Sequence, residues 1–181
     1  QQALDIFIEF NDRYEQAGTY HQLGYVAEAL REYEQARSHY QQALDIFIEF
    51  NDRYSQASTY HQLGIVAQEL REYEQARAHY QQALDICIEF NDRYSQAGTY
   101  HQLGSVAQEL REYEQARANF LTALKTFVKF EDNHNGMIAL RSLYRLHQVT
   151  QDDTLLTEVA QCLNSTVEEV AQLFKTLGEQ S

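Results

Sequence analysis

Histidine is the residue type whose recurrence most invites a chemical reading, since His21, His61 and His101 return every 40 residues, each within the string TYHQLG. Imidazole titrates near neutrality, ligates metals and carries protons, so three in register suggest a metal or acid–base site. Geometry opposes this. Equivalent positions on successive packed helices lie about 8–10 Å apart, whereas zinc ligands sit about 2 Å from the ion they share. The three histidines are therefore expected as a ladder along a surface, holding no metal and no cofactor. His39 and His79 precede Tyr40 and Tyr80, but Asn119 takes the third place. A ligand set would not tolerate that exchange, so these two are expected as helix-surface side chains.

The other nucleophiles and acids point the same way. Cys87 and Cys162 lack metal-ligand spacing and a disulfide framework. Cys87 stands where Phe7 and Phe47 stand in the neighbouring copies, which predicts a small buried hydrophobe rather than a nucleophile. Cys162 falls within an apolar stripe and is read alike. Two such thiols suit a reducing, cytoplasmic location. Asp45, Glu49, Glu69, Glu72 and Glu74 recur at polar helix positions and predict a solvated face, partly compensated by local pairs with Arg71 and Arg77. No phosphate-cradling glycine loop, nucleophile elbow or zinc-protease string occurs. No catalytic residue stands out, and an enzyme is not expected.

The elements that carry these residues follow from a repeat. Residues 1–40, 41–80 and 81–120 are near copies, and the period of 40 is that of helical-pair arrays, whose hairpins bury their apolar faces only by stacking. Ala57, Tyr60, Leu63, Gly64, Ala67 and Leu70 trace one helical stripe, helix A. Tyr73, Ala76, Tyr80, Ala83, Leu84 and Cys87 trace a second, helix B. Asp12, Asp52 and Asp92 precede helix A as caps, and Asp12 with Glu15 resembles a capping box. The predicted helices run over 1–11, 13–30, 33–50, 53–70, 73–90, 93–110 and 113–130. Gly24, Gly64 and Gly104 lie inside helix A, where glycine is costly unless a neighbour needs the space. Ala36, Ala76 and Ala116 are expected at close crossings, with Tyr40, Tyr80 and Phe120 filling the gap between hairpins. The sequence contains no proline to interrupt a helix. The fold class is all-α.

Asp and Glu number 27 against 14 Lys and Arg, for a net charge of −13. That charge repels nucleic-acid phosphates and anionic lipid and favours a basic or neutral protein or peptide partner. No apolar run approaches the roughly 20 residues of a membrane span, and the opening QQALDIFIEF lacks the basic start of a signal peptide. The chain opens in mid-repeat, as expected of a segment from a longer protein.

Tyr60, Leu63, Gly64, Ala67, Tyr73, Ala76, Tyr80, Ala83 and Leu84 together resemble the tetratricopeptide repeat, and the likeness recurs three times over about residues 1–130. The usual unit of that family has about 34 residues, and a proline commonly closes helix B. Here Ile8, Ile48 and Ile88 stand at that place, so helix B should run on and absorb the additional residues. The longer unit is similar to kinesin light chain repeats and to the sensor arms of bacterial and cyanobacterial signal-transduction ATPases. The resemblance implies a right-handed solenoid of antiparallel helical hairpins whose concave groove binds protein. It leaves two other uses open: structural self-assembly through terminal hairpins, and ligand sensing as the arm of a larger signalling ATPase.

In that family the position of Tyr25, Ile65 and Ser105 resembles one facing the groove, and it is where the copies differ most in chemistry. Helical spacing draws one line through Tyr14, Gly18, His21, Tyr25 and Glu28. The next copies read Tyr54, Ser58, His61, Ile65, Gln68 and Tyr94, Gly98, His101, Ser105, Gln108. These lines form the expected partner-binding groove, although Tyr14, Tyr54 and Tyr94 also suit packing between hairpins.

Both ends depart from the copy. Residues 131–181 are expected to form a degenerate fourth repeat and a capping helix, with helix A over NGMIALRSLYRLHQV, helix B over 153–163, a capping box of Ser165 with Glu168, and a last helix over 166–177. The array then spans 1–130. The string TEVAQCLNSTVEEVAQLF has a helix-turn-helix cadence, but it is acidic where a DNA reader needs Lys and Arg. At the other end the helix over 1–11 has no helix A before it. Its stripe of Leu4, Phe7 and Ile8 is the expected self-association face, giving a homodimer.

Overall fold

A computed structural model describes residues 13–179; the predicted helix over 1–11, the Asp12 cap and the group Leu4, Phe7 and Ile8 lie outside the described residues. Helix A starts are set by aspartate. Oδ1 of Asp52, Asp92 and Asp132 accepts the backbone N–H of Ser55, Ser95 and Asn135 respectively, each at 3.0 Å, satisfying a first-turn donor that the helix itself leaves free. Helix A ends at a turn whose hydrogen bonds recur from copy to copy. Glu32 N–H donates to Ala27 O at 2.8 Å and Arg31 N–H to Glu28 O at 2.9 Å. Arg31 therefore sits at φ 62°, as Arg71 and Arg111 do in their own turns. Glycine is the usual occupant of this left-handed position.

The described residues fall into two compact units that divide between Asn91 and Asp92. The first contains α1 (Arg13–Ala29), α2 (Tyr33–Glu49), α3 (Arg53–Glu69) and α4 (Tyr73–Glu89). The second contains α5 (Arg93–Glu109), α6 (Tyr113–Lys129), α7 (Asn133–Thr150), α8 (Thr154–Leu163) and α9 (Val167–Glu179). All secondary structure among the described residues is helical; α1 with α2, α3 with α4 and α5 with α6 pack as hairpins in a repeat, and α7 and α8 both pack on α6. The last helix starts one residue later than expected. Thr166 and Glu169 form its capping box, Thr166 N–H to Glu169 Oε2 at 2.9 Å and Glu169 N–H to Thr166 Oγ1 at 3.2 Å. Ser165 and Glu168 do not, because STVEE contains the motif in two registers.

In the first unit, Tyr40 is fully buried and packs with Ala27, Leu44, Leu63 and Val66. A Cβ built on Gly24 would lie 2.6 Å from Tyr40 Cδ1, and one on Gly64 would lie 2.5 Å from Tyr80 Cε1. Each glycine thus makes room for the ring opposite it in its own hairpin. The expectation that these rings fill gaps between hairpins is therefore refined: Tyr40 lodges against Gly24 in its own hairpin and also packs with Leu63 and Val66 of the next, while Tyr80 lodges against Gly64 in its own hairpin. Phe120 meets Gly104 in the same way in the second unit, with a Cβ distance of 2.6 Å. Val66 is fully buried against Tyr40 and Leu44 of the preceding hairpin, whereas its α1 counterpart Val26 is 54% exposed.

Charged braces join neighbouring elements within each unit. Arg37 Nη2 meets Glu72 Oε2 at 2.6 Å, fastening α2 to the α3–α4 turn. In the second unit Arg117 fastens α6 to the α7–α8 turn and to α8: Nη1 to Asp152 Oδ2 at 2.5 Å, Nε to Glu158 Oε2 at 2.6 Å, and Nη2 to Thr154 Oγ1 at 2.7 Å.

Candidate interaction face

The helix A residues expected to form a groove separate into braces, half-buried rings and open side chains. Tyr14 is a brace. Its hydroxyl donates to Asp52 Oδ2 at 2.6 Å, and its ring lies edge-on to Phe47 and Phe50 at 6.1 and 5.5 Å. Tyr94 repeats this with Asp132 at 2.5 Å and the rings of Phe127 and Phe130. The packing alternative for these tyrosines therefore describes their contacts, and each ties helix A to the capping aspartate of the following helix A. Tyr54 is 67% exposed.

His21 and His61 lie edge-on to Tyr40 and Tyr80, with ring centroids 5.3 Å apart in each pair. His101 lies 5.4 Å from Phe120, with Nε2 3.0 Å from Ser142 Oγ. All three are half-buried, which corrects the reading of a surface ladder: the ring opposite each glycine leaves an apolar flank that the imidazole covers. His39 and His79 are likewise half-buried, stacked on Tyr20 and Tyr60 at 6.2 Å rather than free on the helix surface. Cys87 is buried, and Cys162 is half-buried.

Burial holds the His21, His61 and His101 imidazoles below the ordinary histidine value, and the charge of Arg145 adds to this at His101. A proton entering the native state must charge a partly desolvated ring, while the unfolded chain accepts it near pH 6.5. The histidine contribution is therefore fully present above that value and is lost progressively as pH falls from it through the lower folded-state values. Each ring can contribute a slope of at most about 1.4 kcal/mol per pH unit. Denaturant unfolding between pH 7 and pH 5 should show stability decreasing, and the triple variant His21→Gln, His61→Gln, His101→Gln should flatten the decrease. An unchanged slope would show that carboxylates alone control it.

Beyond the histidines, Tyr40 Oη donates to Glu28 Oε2 at 2.9 Å, and Tyr80 Oη donates to Gln68 Oε1 at 3.2 Å. Burial raises the Glu28 carboxyl, the Tyr40 hydrogen bond opposes that, and the nearby charge of Glu69 adds to it. Phe120 has no hydroxyl for the corresponding Gln108, which is half-buried. The sequence reading missed these bonds, although the 12-residue separation of Glu28 from Tyr40 recurs between Gln68 and Tyr80. Tyr25 is 57% exposed; Ile65 and Ser105 are half-buried, and the Ser105 hydroxyl donates back to His101 O at 3.2 Å. In the first unit, α1 and α3 thus present Tyr25, Glu28, Ile65 and Gln68 beside the histidine rings. In the second, α5 presents His101, Ser105 and Gln108. Among the described residues no three His, Cys, Asp or Glu side chains converge as a metal site, and no helix is long and apolar enough to cross a membrane.

Glycine-seated rings between paired helices, capping aspartates at a constant interval and arginine braces to the next turn define a helical-hairpin repeat protein. Residues 15–89 and 97–126 match family models for the tetratricopeptide repeat, more than half of the chain in all, and the chain belongs to that family. Among solved structures it is similar to the apo form of RapI, with a TM-score of 0.81 and 19% identity, covering 97% of this chain and 60% of that one. It is also similar to BtubC (BKLC) from P. vanneervenii, with a TM-score of 0.72 and 17% identity, covering 88% and 65%. The chain therefore spans less than two thirds of either protein, and at such identities the likeness is one of fold. No curated protein sequence matches the chain. Tetratricopeptide repeats generally mediate protein–protein interaction and are typically non-enzymatic scaffolds.

Proposed function

We propose that the chain binds a peptide or extended protein segment, basic or neutral in charge, along the helix A faces of its hairpins. The observation that carries this reading is the position of Tyr25, Ile65 and Ser105. It varies among near-identical copies, and at Tyr25 it carries a large aromatic side chain that is 57% exposed. Tyr, His and Gln offer apolar contact and hydrogen bonds together, as peptide recognition requires, and the net charge of −13 favours cationic or neutral sequences. A reducing cytoplasmic setting suits the two free thiols. The double variant Tyr25→Ser, Ile65→Ser gives the first two copies the residue of the third. Peptides selected by this chain from a displayed random library should bind that variant at least about tenfold more weakly, a loss of about 1.4 kcal/mol, with the thermal midpoint unchanged. Equal affinity, or selection of no peptide, would refute the reading.

A second reading has its own observation. Val26 of α1 and Leu30 in the turn after it are 54% and 64% exposed, and exposed apolar residues on a repeat helix suit stacking against a further hairpin or a second copy. Repeat counterparts of the expected self-association residues differ among themselves: Leu44 and Phe47 are buried, while Ile48 is 50% exposed.

A further inference from the structure

The fourth helix pair departs from the others: α7 and α8 both pack on α6 rather than closely on each other, and their facing residues are exchanged. Tyr144 stands where Gly24, Gly64 and Gly104 stand, and Ala160 stands where Tyr40, Tyr80 and Phe120 stand, so the bulky partner has changed helices. With a ring on helix A, the space beyond the pair is reorganised. Tyr144 leans edge-on against Phe174 of α9 at 5.6 Å, and His147, one turn on, meets the same ring at 5.7 Å. The Tyr144 hydroxyl lies so near α9 that a Cβ on Gly178 would be 2.6 Å from it.

These contacts leave a cavity of about 210 Å³ bounded by α7, α8 and α9. Leu156, Ala171 and Phe174 line it with apolar groups, Tyr144 and His147 with aromatic rings, and Gln148 and Lys175 with polar ones. One nitrogen of His147 is engaged, and its Nδ1 is buried with no hydrogen-bond partner among the described residues. Its Nε2 lies 3.1 Å from Asp153 Oδ1, an acceptor, so that nitrogen carries the hydrogen and is engaged outside the cavity. Tyr144 makes no hydrogen bond and Lys175 no ion pair among the described residues, in a chain whose net charge is −13. An unpaired ammonium and a free hydroxyl at the edge of an apolar space match a ligand that is apolar at one end and anionic at the other. The volume decides its size. It equals that of about seven waters and falls below the roughly 300 Å³ at which pockets for drug-sized molecules begin, so it admits a single ring or branched chain.

We propose that this cavity binds a small carboxylate with an apolar body, seated on Phe174 and Leu156 with its carboxylate at the Lys175 ammonium and Tyr144 hydroxyl. The site shares no residue with the face proposed to take peptide, so either reading can fail alone. The test is titration of the ¹⁵N-labelled chain with 3-phenylpropanoate and with its neutral amide, following amide shifts of Tyr144, Ala171 and Lys175. The acid should saturate, and the amide should bind about fivefold more weakly, as expected for losing one exposed charge pair. Lys175→Gln should bring the acid down to the amide's affinity. Ala171→Leu, at an exposed helix position, should fill the cavity and abolish saturation. Should Ala171→Leu disturb folding, Lys175→Gln with the acid–amide comparison still decides. An acetylated peptide ending in phenylalanine that binds more tightly than the free acid assigns the carboxylate to a chain terminus, and weaker binding assigns it to a free acid; both uphold the site. Equal binding of acid and amide, saturation that survives Ala171→Leu, or no saturable shift at millimolar acid overturns it.

Discussion

Gly64→Ala is expected to destabilise the first unit by about 2–3 kcal/mol, whereas Gly18→Ala, two helices earlier, should stabilise it by about 0.5–1 kcal/mol. Both residues lie inside helix A, where alanine is intrinsically the better residue. The environment reverses the sign. A Cβ on Gly64 would come within 2.5 Å of Tyr80 Cε1, 2.6 Å of Cδ1 and 2.9 Å of Cζ, while a Cβ on Gly18 would meet nothing within 4 Å. Tyr80 is fully buried, so its ring cannot swing out to accommodate a methyl group. Denaturant unfolding of the two variants measures the contrast, and Gly98→Ala, also in open space, is the control in the second unit. Adding Tyr80→Ala to Gly64→Ala should cost less than the two changes separately, because the methyl then occupies space the ring has left. Destabilisation of equal size at Gly18 and Gly64 would mean that glycine serves helix flexibility rather than ring packing.

Arg117→Ala should destabilise the second unit by about 2–3 kcal/mol, through loss of charge-assisted hydrogen bonds. Exposure decides that magnitude. The Arg117 side chain is 16% exposed and its partners Asp152 and Glu158 are 35% and 43% exposed, whereas Arg13 and Glu49 are each 52% exposed. The fully buried limit of about 3–5 kcal/mol is discounted for this partial solvation, and the Arg13–Glu49 pair falls in the range of about 0–1 kcal/mol typical of surface pairs. Arg117→Lys keeps the charge but not the fork that serves three acceptors, and should recover less than half of the loss. If Arg117→Ala and Arg13→Ala shift the unfolding midpoint equally, the brace has no special role.

The period, both helical stripes and the helix spans were legible because they depend on local spacing, which three near copies state three times. The site was less legible. Tyr14 could be placed on the same helical line as His21 and Tyr25, but its bond to Asp52 depends on the intervening hairpin returning the chain to the level of its start. The histidines read as surface residues because polar type was taken for exposure. Their burial follows from the glycine-seated rings of Tyr40, Tyr80 and Phe120, a contact between helices that periodicity within one helix does not encode. The capping box slipped by one residue because STVEE satisfies the same rule at Ser165 and at Thr166. The cavity lay furthest from view: the exchange of Gly for Tyr144 is visible on aligning the copies, but Phe174, which receives the ring, belongs to a helix with no counterpart in them.

The exchange between Tyr144 and Ala160 also bears on how a chain of near copies finds its register. Helices α1 and α3 present nearly the same surface, as do α2 and α4, so nothing in their packing distinguishes a hairpin made from neighbours from one made with a helix 40 residues out of step. The fourth helix pair is not interchangeable. Its helix A carries a ring that would collide with the Tyr or Phe of any earlier helix B, and its Ala160 would leave a void opposite any earlier glycine. Among the described residues, correct pairing is therefore marked at Tyr144, and a chain that counts its repeats during folding has a fixed reference there.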